Sequence, residues 1–154
     1  MSRPGAAAGP DGRVDRIEVA CDGGARGNPG PAAIGAIVRD LTSTPPRVLA
    51  TVSEPIGVAT NNVAEYRALL AGLEAARPFR ARVLRIRADS ELLIRQLEGR
   101  YRVRSPHLVP LFEQVRALLA AYERVELTHV PRAENADADA LVNAALDAAG
   151  GARR

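Results

Sequence analysis

Cys21-Asp22-Gly23-Gly24-Ala25-Arg26-Gly27-Asn28-Pro29-Gly30 is the stretch on which the fold of this chain turns. The residues leading into it, Ile17, Val19 and Cys21, are apolar at alternate positions, the pattern of a strand with one buried face. The run closes on a carboxylate, Asp22, and the glycines, Asn28 and Pro29 behind it prescribe a tight, bare turn. An Asp-Gly pair is the ordinary mark of a hairpin. An Asp beside exposed backbone amides also suits a site that handles a phosphate and a metal. The rest of the chain decides between the two.

At 154 residues the chain makes one domain with room for a sizeable core. With 47% apolar and 25% charged residues it has the composition of a water-soluble globule. No apolar run approaches the about 18–20 residues that span a bilayer. The opening, 1–13, is rich in Ala, Gly and Pro but lacks the hydrophobic segment of a secretory signal, and reads as a disordered tail. A cytoplasmic location is therefore expected. A single cysteine, Cys21, excludes an internal disulfide and is expected to be buried strand packing. All 21 basic residues are Arg and the formal net charge is +3. If acids gather in one place, the remaining surface is more positive than that figure and favours a polyanion, nucleic acid first. Two arginine clusters, Arg80, Arg82, Arg85, Arg87 and then Arg100, Arg102, Arg104, point the same way, though such runs also occur as plain solvated faces.

Outward from the glycine stretch, Ala33–Val38 and Val48–Ile56 read as second and third strands, with Pro45-Pro46 as the turn between them. Their short connections make an antiparallel meander. Thr60-Asn61-Asn62 opens a helix carrying Val63, Tyr66, Leu69, Leu70 and Leu73, and Pro78 follows its end. Val83–Asp89 is a fourth strand. Ser90 caps a second helix that stops at Gly99. Ser105-Pro106 is expected to cap a third helix bearing Leu108, Leu111 and Val115. Val125–Val130 is the fifth strand, and Asn135 is expected to cap the last helix. The order β-β-β-α-β-α-α-β-α defines an α/β domain over 14–149, with 150–154 as a frayed end or linker stub. Strands one and four are joined through a helix, so they can lie parallel and adjacent. Asp22 and Asp89 then sit side by side at the carboxyl edge of the sheet, where α/β folds bind ligands.

Four carboxylates fall at element ends that can converge there: Asp22, Glu65 in the first turn of helix one, Asp89, and Asp139 in the first turn of the last helix. Each has a bland alternative. Glu65 lies three residues after Asn62, the spacing of a capping box. Asp137 and Asp139 suit a helix N-terminus. One shared purpose is simpler than four coincidences at one edge. Crowded carboxylates repel and hold protons unless a cation neutralises them. Oxygen ligands without a Cys or His cluster suit Mg²⁺ or Mn²⁺ rather than zinc. A pair of such ions about 4 Å apart supports in-line phosphoryl displacement. The residues therefore point to metal-dependent phosphodiester hydrolysis. A nucleotide-cradling P-loop does not fit, because no Lys exists to complete it.

The segments 22–31, 60–66 (Thr-Asn-Asn-Val-Ala-Glu-Tyr), 88–90 (Ala-Asp-Ser) and 132–141 (Arg-Ala-Glu-Asn-Ala-Asp-Ala-Asp-Ala-Leu) resemble the four signature blocks of type 1 ribonuclease H, in order and with compatible spacing. The resemblance runs from about Arg16 to Asp147. It implies a five-stranded mixed sheet, three antiparallel strands plus two parallel, flanked by helices. It implies two-metal cleavage of the RNA strand of RNA–DNA hybrids to 5′-phosphate and 3′-hydroxyl products, with Mg²⁺ as cofactor and Mn²⁺ able to substitute. By position, Asp22, Glu65, Asp89 and Asp139 match the metal-binding acids. Asp139 is preferred to Asp137 because it follows Asn135-x-x-Ala138, and the two project about 200° apart on a helix. Asn28, Asn61 and Asn62 match residues that contact the hybrid's minor groove, where 2′-hydroxyls mark RNA. Thr60 matches a position that grips a DNA phosphate.

The departures from the family pattern are as informative. Many relatives carry a basic, Trp-containing protrusion after the second helix; here Gly99 runs through Tyr101 to Ser105 almost directly into the next helix. Tyr101 is the one aromatic left there to meet substrate, so hybrid affinity should rest more on the arginines. Where many relatives place a His before the last acid, this loop offers Arg132, as in Arg-type members, with His129 nearby as a strand residue. His107 reads as surface. Glu91 stands where some relatives have a substrate-contacting Gln. The expected partner is an RNA–DNA hybrid, with double-stranded RNA left open, and the protein is expected to be a monomer. Some Arg-type relatives are fused to a phosphatase-like domain. The competing reading, a non-catalytic binding module of the same fold, would show the loss of one of the four acids, and all are present.

Overall fold

The computed structural model describes residues 12–151; the first eleven residues of the expected tail, and 152–154 at the other end, lie outside it. The strands are β1 (Arg16–Ala25), β2 (Gly30–Asp40), β3 (Arg47–Ala59), β4 (Val83–Ala88) and β5 (Arg124–His129). The helices are α1 (Asn61–Ala76), α2 (Glu91–Leu97), α3 (Val109–Leu119) and α4 (Ala136–Gly151). The sheet order is β3-β2-β1-β4-β5. The meander β1-β2-β3 is antiparallel, while β4 runs parallel to both β1 and β5. Strands one and four are thus neighbours, as the helical crossover between them allows.

The main core lies between the sheet and α1. The alternating Ile17, Val19 and Cys21 of β1 meet Tyr66, Leu69 and Leu73 of α1, all of them buried. Burying each large side chain contributes roughly 1.5–3 kcal/mol. Helix α4 covers the meander on the opposite face, where Val142, Ala145 and Leu146 pack on Ala33. The even positions of β1, Glu18, Ala20 and Asp22, lie on that second face.

Three local readings need correction. Asp22 does not close β1. Its antiparallel partners continue from Asp22↔Gly35 to Ala25↔Ala32, whereas the parallel pairing with β4 ends at Ala20↔Arg87. The carboxylate therefore emerges where one neighbour strand has run out and the other has not. Helix α3 begins at Val109, not at Ser105, and its N-cap Leu108 offers no side-chain bond. Ser105 Oγ instead accepts the His107 N–H at 3.2 Å, a local serine turn that delays the helix. Asn135 sits at the end of a short 3₁₀ turn, Arg132–Asn135. It is buried, and its Nδ2 donates to the Cys21 carbonyl at 2.9 Å, so the fold uses it as a strut between loop and sheet.

Candidate metal centre and nucleic-acid face

Two glycines let the helices approach closely enough to deliver their acids. A side chain at Gly23 would overlap the Ala64 carbonyl of α1, so only glycine allows that helix to lie against β1 there. The same approach brings the Gly23 N–H to Glu65 Oε1 at 2.7 Å. Glu65 is therefore not the return arm of a capping box: Thr60 is the N-cap of α1, its Oγ1 accepting the Val63 N–H at 3.2 Å, which puts Glu65 in the second turn. Opposite Asp22 on β2 stands Gly35, where a Cβ would press at 2.6 Å on the Ala138 carbonyl of α4. Asp139, the next residue, is carried in by that close approach.

Asp22, Glu65 and Asp89 each present a carboxylate oxygen within 4.8 Å of the others. Asp139 joins at the rim, close enough for its charge to help raise Asp22. Its own side chain is 30% exposed, with Arg132 at 3.8 Å and Asn143 Nδ2 at 3.2 Å. Asp137 turns away, to Arg39 at 2.8 Å.

The electrostatics follow from that crowding. Burial, and then the charges of Glu65 and Asp89, push Asp22 up to about 9. Burial raises Glu65 to about 7, against the Gly23 N–H that favours its ionised form. Burial also raises Asp89, while Arg132 and the Asn135 amide pull it back. The donor set is all oxygen, close-spaced and short of positive charge, and fits a hard divalent cation. Asp22, Glu65 and Asp89 are the residues that would hold it, with Asp139 at the edge.

Beside the acids the asparagines interlock. Asn28 Oδ1 accepts the Asn61 N–H at 3.1 Å, and Asn61 Oδ1 accepts the Ala25 N–H at 2.9 Å. Asn28, Thr60 and Asn62 line a cleft of about 290 Å³ whose other wall is Ser105, His107 and Leu108. His107 is thus drawn into the same face as the asparagines, which its place in the sequence did not reveal; the serine turn that holds it is a conformational detail without a distinctive motif. His129 ends β5 paired with Ala88, exposed at the sheet edge. Tyr101 is exposed after α2, anchored through its backbone to the Arg95 carbonyl, and is not brought into the acid cluster. Glu91 is exposed and faces Arg95 at 3.6 Å.

The family described as reverse transcriptase-like matches residues 20–145. The chain is 44% identical over 135 residues to a protein named ribonuclease HI from Halobacterium salinarum, covering 88% of this chain and 66% of that one. The crystal structure of ribonuclease H1 from that archaeon superposes with a TM-score of 0.79 over 86% of this chain and 98% of that chain. The chain belongs to the type 1 ribonuclease H family. Another solved ribonuclease H domain, the amino-terminal one of a Mycobacterium tuberculosis protein, shares 44% identity and a TM-score of 0.81, covering 85% of this chain and 98% of that one. LC11 ribonuclease H1, solved in complex with an RNA/DNA hybrid, shares 40% identity and a TM-score of 0.79, covering 86% and 98%. A curated Mycobacterium tuberculosis protein described as bifunctional is 46% identical over 87% of this chain, which spans 36% of that protein's length. No helix among the described residues is long and apolar enough to cross a membrane.

Proposed function

We propose that this ribonuclease H domain hydrolyses the RNA strand of RNA–DNA hybrids, in a reaction dependent on Mg²⁺ or Mn²⁺, leaving 5′-phosphate and 3′-hydroxyl ends. The observation that carries the reading is the cluster Asp22–Glu65–Asp89, three carboxylates within 4.8 Å that their own surroundings leave short of positive charge. A pair of divalent ions bound there supplies the positive charge that offsets the phosphate and activates water. Asp22, Glu65, Asp89 and Asp139 bind and orient those ions, and the Gly23 N–H fixes the rotamer of Glu65.

Substrate contact is assigned to the asparagine face. Asn28 and Asn61 commit their carbonyl oxygens to the backbone, which leaves each amide NH₂ to donate to a 2′-hydroxyl or base edge in the minor groove. Asn62 stands exposed beside them. Thr60, in the adjoining cleft, takes a DNA-strand phosphate, and Tyr101 offers a ring to the duplex further along. Arg132 is 83% exposed while touching Asp139, which suits it to draw the cut phosphate away and speed turnover.

The test is cleavage of end-labelled RNA–DNA hybrid, RNA duplex and DNA duplex with Mg²⁺, Mn²⁺ or EDTA, by the parent and by Asp89→Asn. The reading expects metal-dependent cutting of the hybrid by the parent alone, with products that a 5′-phosphate-dependent exonuclease degrades. Equal cutting by both proteins, or hybrid cutting in EDTA, would overturn it.

A further inference from the structure

We propose that Arg87 is a positioning residue: its guanidinium, bonded to the Glu134 carbonyl, sets the loop that delivers Arg132 and Asp139 to the acid cluster. The inference rests on the nuclease reading above and adds a residue that no signature block contains.

The loop needs such a support. Between Val130, whose N–H closes on Ala88, and the start of α4 at Ala136, residues 131–134 are exposed. The loop borders a cavity of about 370 Å³, lined among others by Glu18, Ala20, Arg85, Arg87, Glu134 and Asn135. Two side-chain bonds cross from this loop to the sheet. Asn135 Nδ2 reaches the Cys21 carbonyl, and Arg87 Nη2 reaches the Glu134 carbonyl at 2.6 Å. A charged donor on a carbonyl at that distance belongs among the stronger hydrogen bonds.

The neighbouring arginines have a different job. Arg39 and Arg85, on the same face of the sheet, close on the buried Glu18 at 3.3 and 3.5 Å. Arg87 stands opposite Ala20 in the register, and a methyl group there leaves it free passage toward the loop. It lies on β4 two residues before Asp89, which follows the strand's last residue, so one strand both leads into a central acid and braces the segment that brings the outer one. Partners bonded directly to metal ligands typically change affinity or activity by about 10–100-fold; Arg87 reaches Asp139 through the loop that leads into α4.

Arg87→Ala and Arg87→Lys are compared with the parent in steady-state hybrid cleavage, calorimetric Mn²⁺ titration and thermal melting. Arg87→Ala should lower kcat by about 10–100-fold with KM within about twofold, and weaken Mn²⁺ binding by about tenfold. Arg87→Lys should recover much of both, because a single carbonyl can be met by one ammonium N–H. Parental kcat and Mn²⁺ affinity in a folded Arg87→Ala with a lowered melting temperature would overturn the proposal. So would Arg87→Lys performing no better than Arg87→Ala. Should the parent leave hybrids uncut, the nuclease reading fails, and the Mn²⁺ titration alone decides the role of Arg87.

Discussion

Glu18 and Asp22 lie four residues apart on one face of β1, and both are buried, at 3% and 8% exposure. Their surroundings differ in a way that separates structure from chemistry. Glu18 sits in a cross-strand ladder of alternating charge: Arg39 on β2, Glu18 on β1, Arg85 on β4 and Glu126 on β5 are direct partners in the register. Arg39 approaches Glu18 at 3.3 Å, Arg85 at 3.5 Å, and Arg85 reaches Glu126 at 3.6 Å. The chain supplies that carboxylate with its own counter-charge. Asp22, four residue pairs further along, meets Glu65, Asp89 and Asp139 instead. One carboxylate is neutralised by folding; the other is left among carboxylates, as the proposed cation site requires.

The sharpest break of that contrast is Asp89→Asn. Removing a proposed metal ligand withdraws several kcal/mol of transition-state stabilisation, so hybrid cleavage should fall by about a thousandfold or more. The melting temperature of the metal-free protein should hold or rise, since one repelling carboxylate has been removed. Glu18→Ala should do the reverse. It leaves Arg39 and Arg85 without their shared partner and should cost about 3 kcal/mol in urea unfolding, while cleavage per folded molecule is kept. A Glu18→Ala protein with intact stability and lost cleavage would merge the two regions into one site.

A smaller effect separates them by pH. In the unfolded chain these carboxyls ionise near pH 4, whereas in the folded metal-free protein Glu65 holds its proton to about 7 and Asp22 to about 9. Between those limits the native state binds more protons than the unfolded one, so stability should fall as pH rises from about 5 to 9. The slope is at most about 1.4 kcal/mol per pH unit for each proton held, and saturating Mg²⁺ should flatten it. The smallest expected effect is at the substrate face: Thr60→Ala removes the cap of α1 and should cost about 1 kcal/mol of stability. A larger rise in KM for hybrid than this stability loss explains would assign Thr60 to substrate as well.

Much of this was readable from residues alone. The alternation of Ile17, Val19 and Cys21 and the helical spacing of Tyr66, Leu69 and Leu73 report one-sided burial, which is a local property of sequence. The adjacency of strands one and four follows from chain connectivity. What escaped depends on pairing between distant segments. Asp22 looked like a strand end because the glycines after it look like a turn. Gly23 in fact admits the backbone of α1, which only the packed structure reveals, while the turn lies further on at 26–29. Glu65 had the spacing of a capping box with Asn62, yet the Gly23 N–H competes for it from 42 residues away. Asn135 was taken by the Cys21 carbonyl, and Ser105 by a turn one step too early for the helix. Arg87 was visible only as a member of an arginine cluster, because its partner is a backbone carbonyl, and carbonyls leave no mark in a sequence.

The proposed reaction requires that Asp22, Glu65, Asp89 and Asp139 form a site completed by divalent cations. Calorimetric titration of Mg²⁺ into EDTA-stripped protein at pH 7.5, in two buffers of different ionisation heat, tests it most directly. Saturable binding with protons released is expected, because the carboxyls must ionise to bind, and that binding should be lost in Asp22→Asn. Binding without proton release, or the same isotherm from Asp22→Asn, would contradict it.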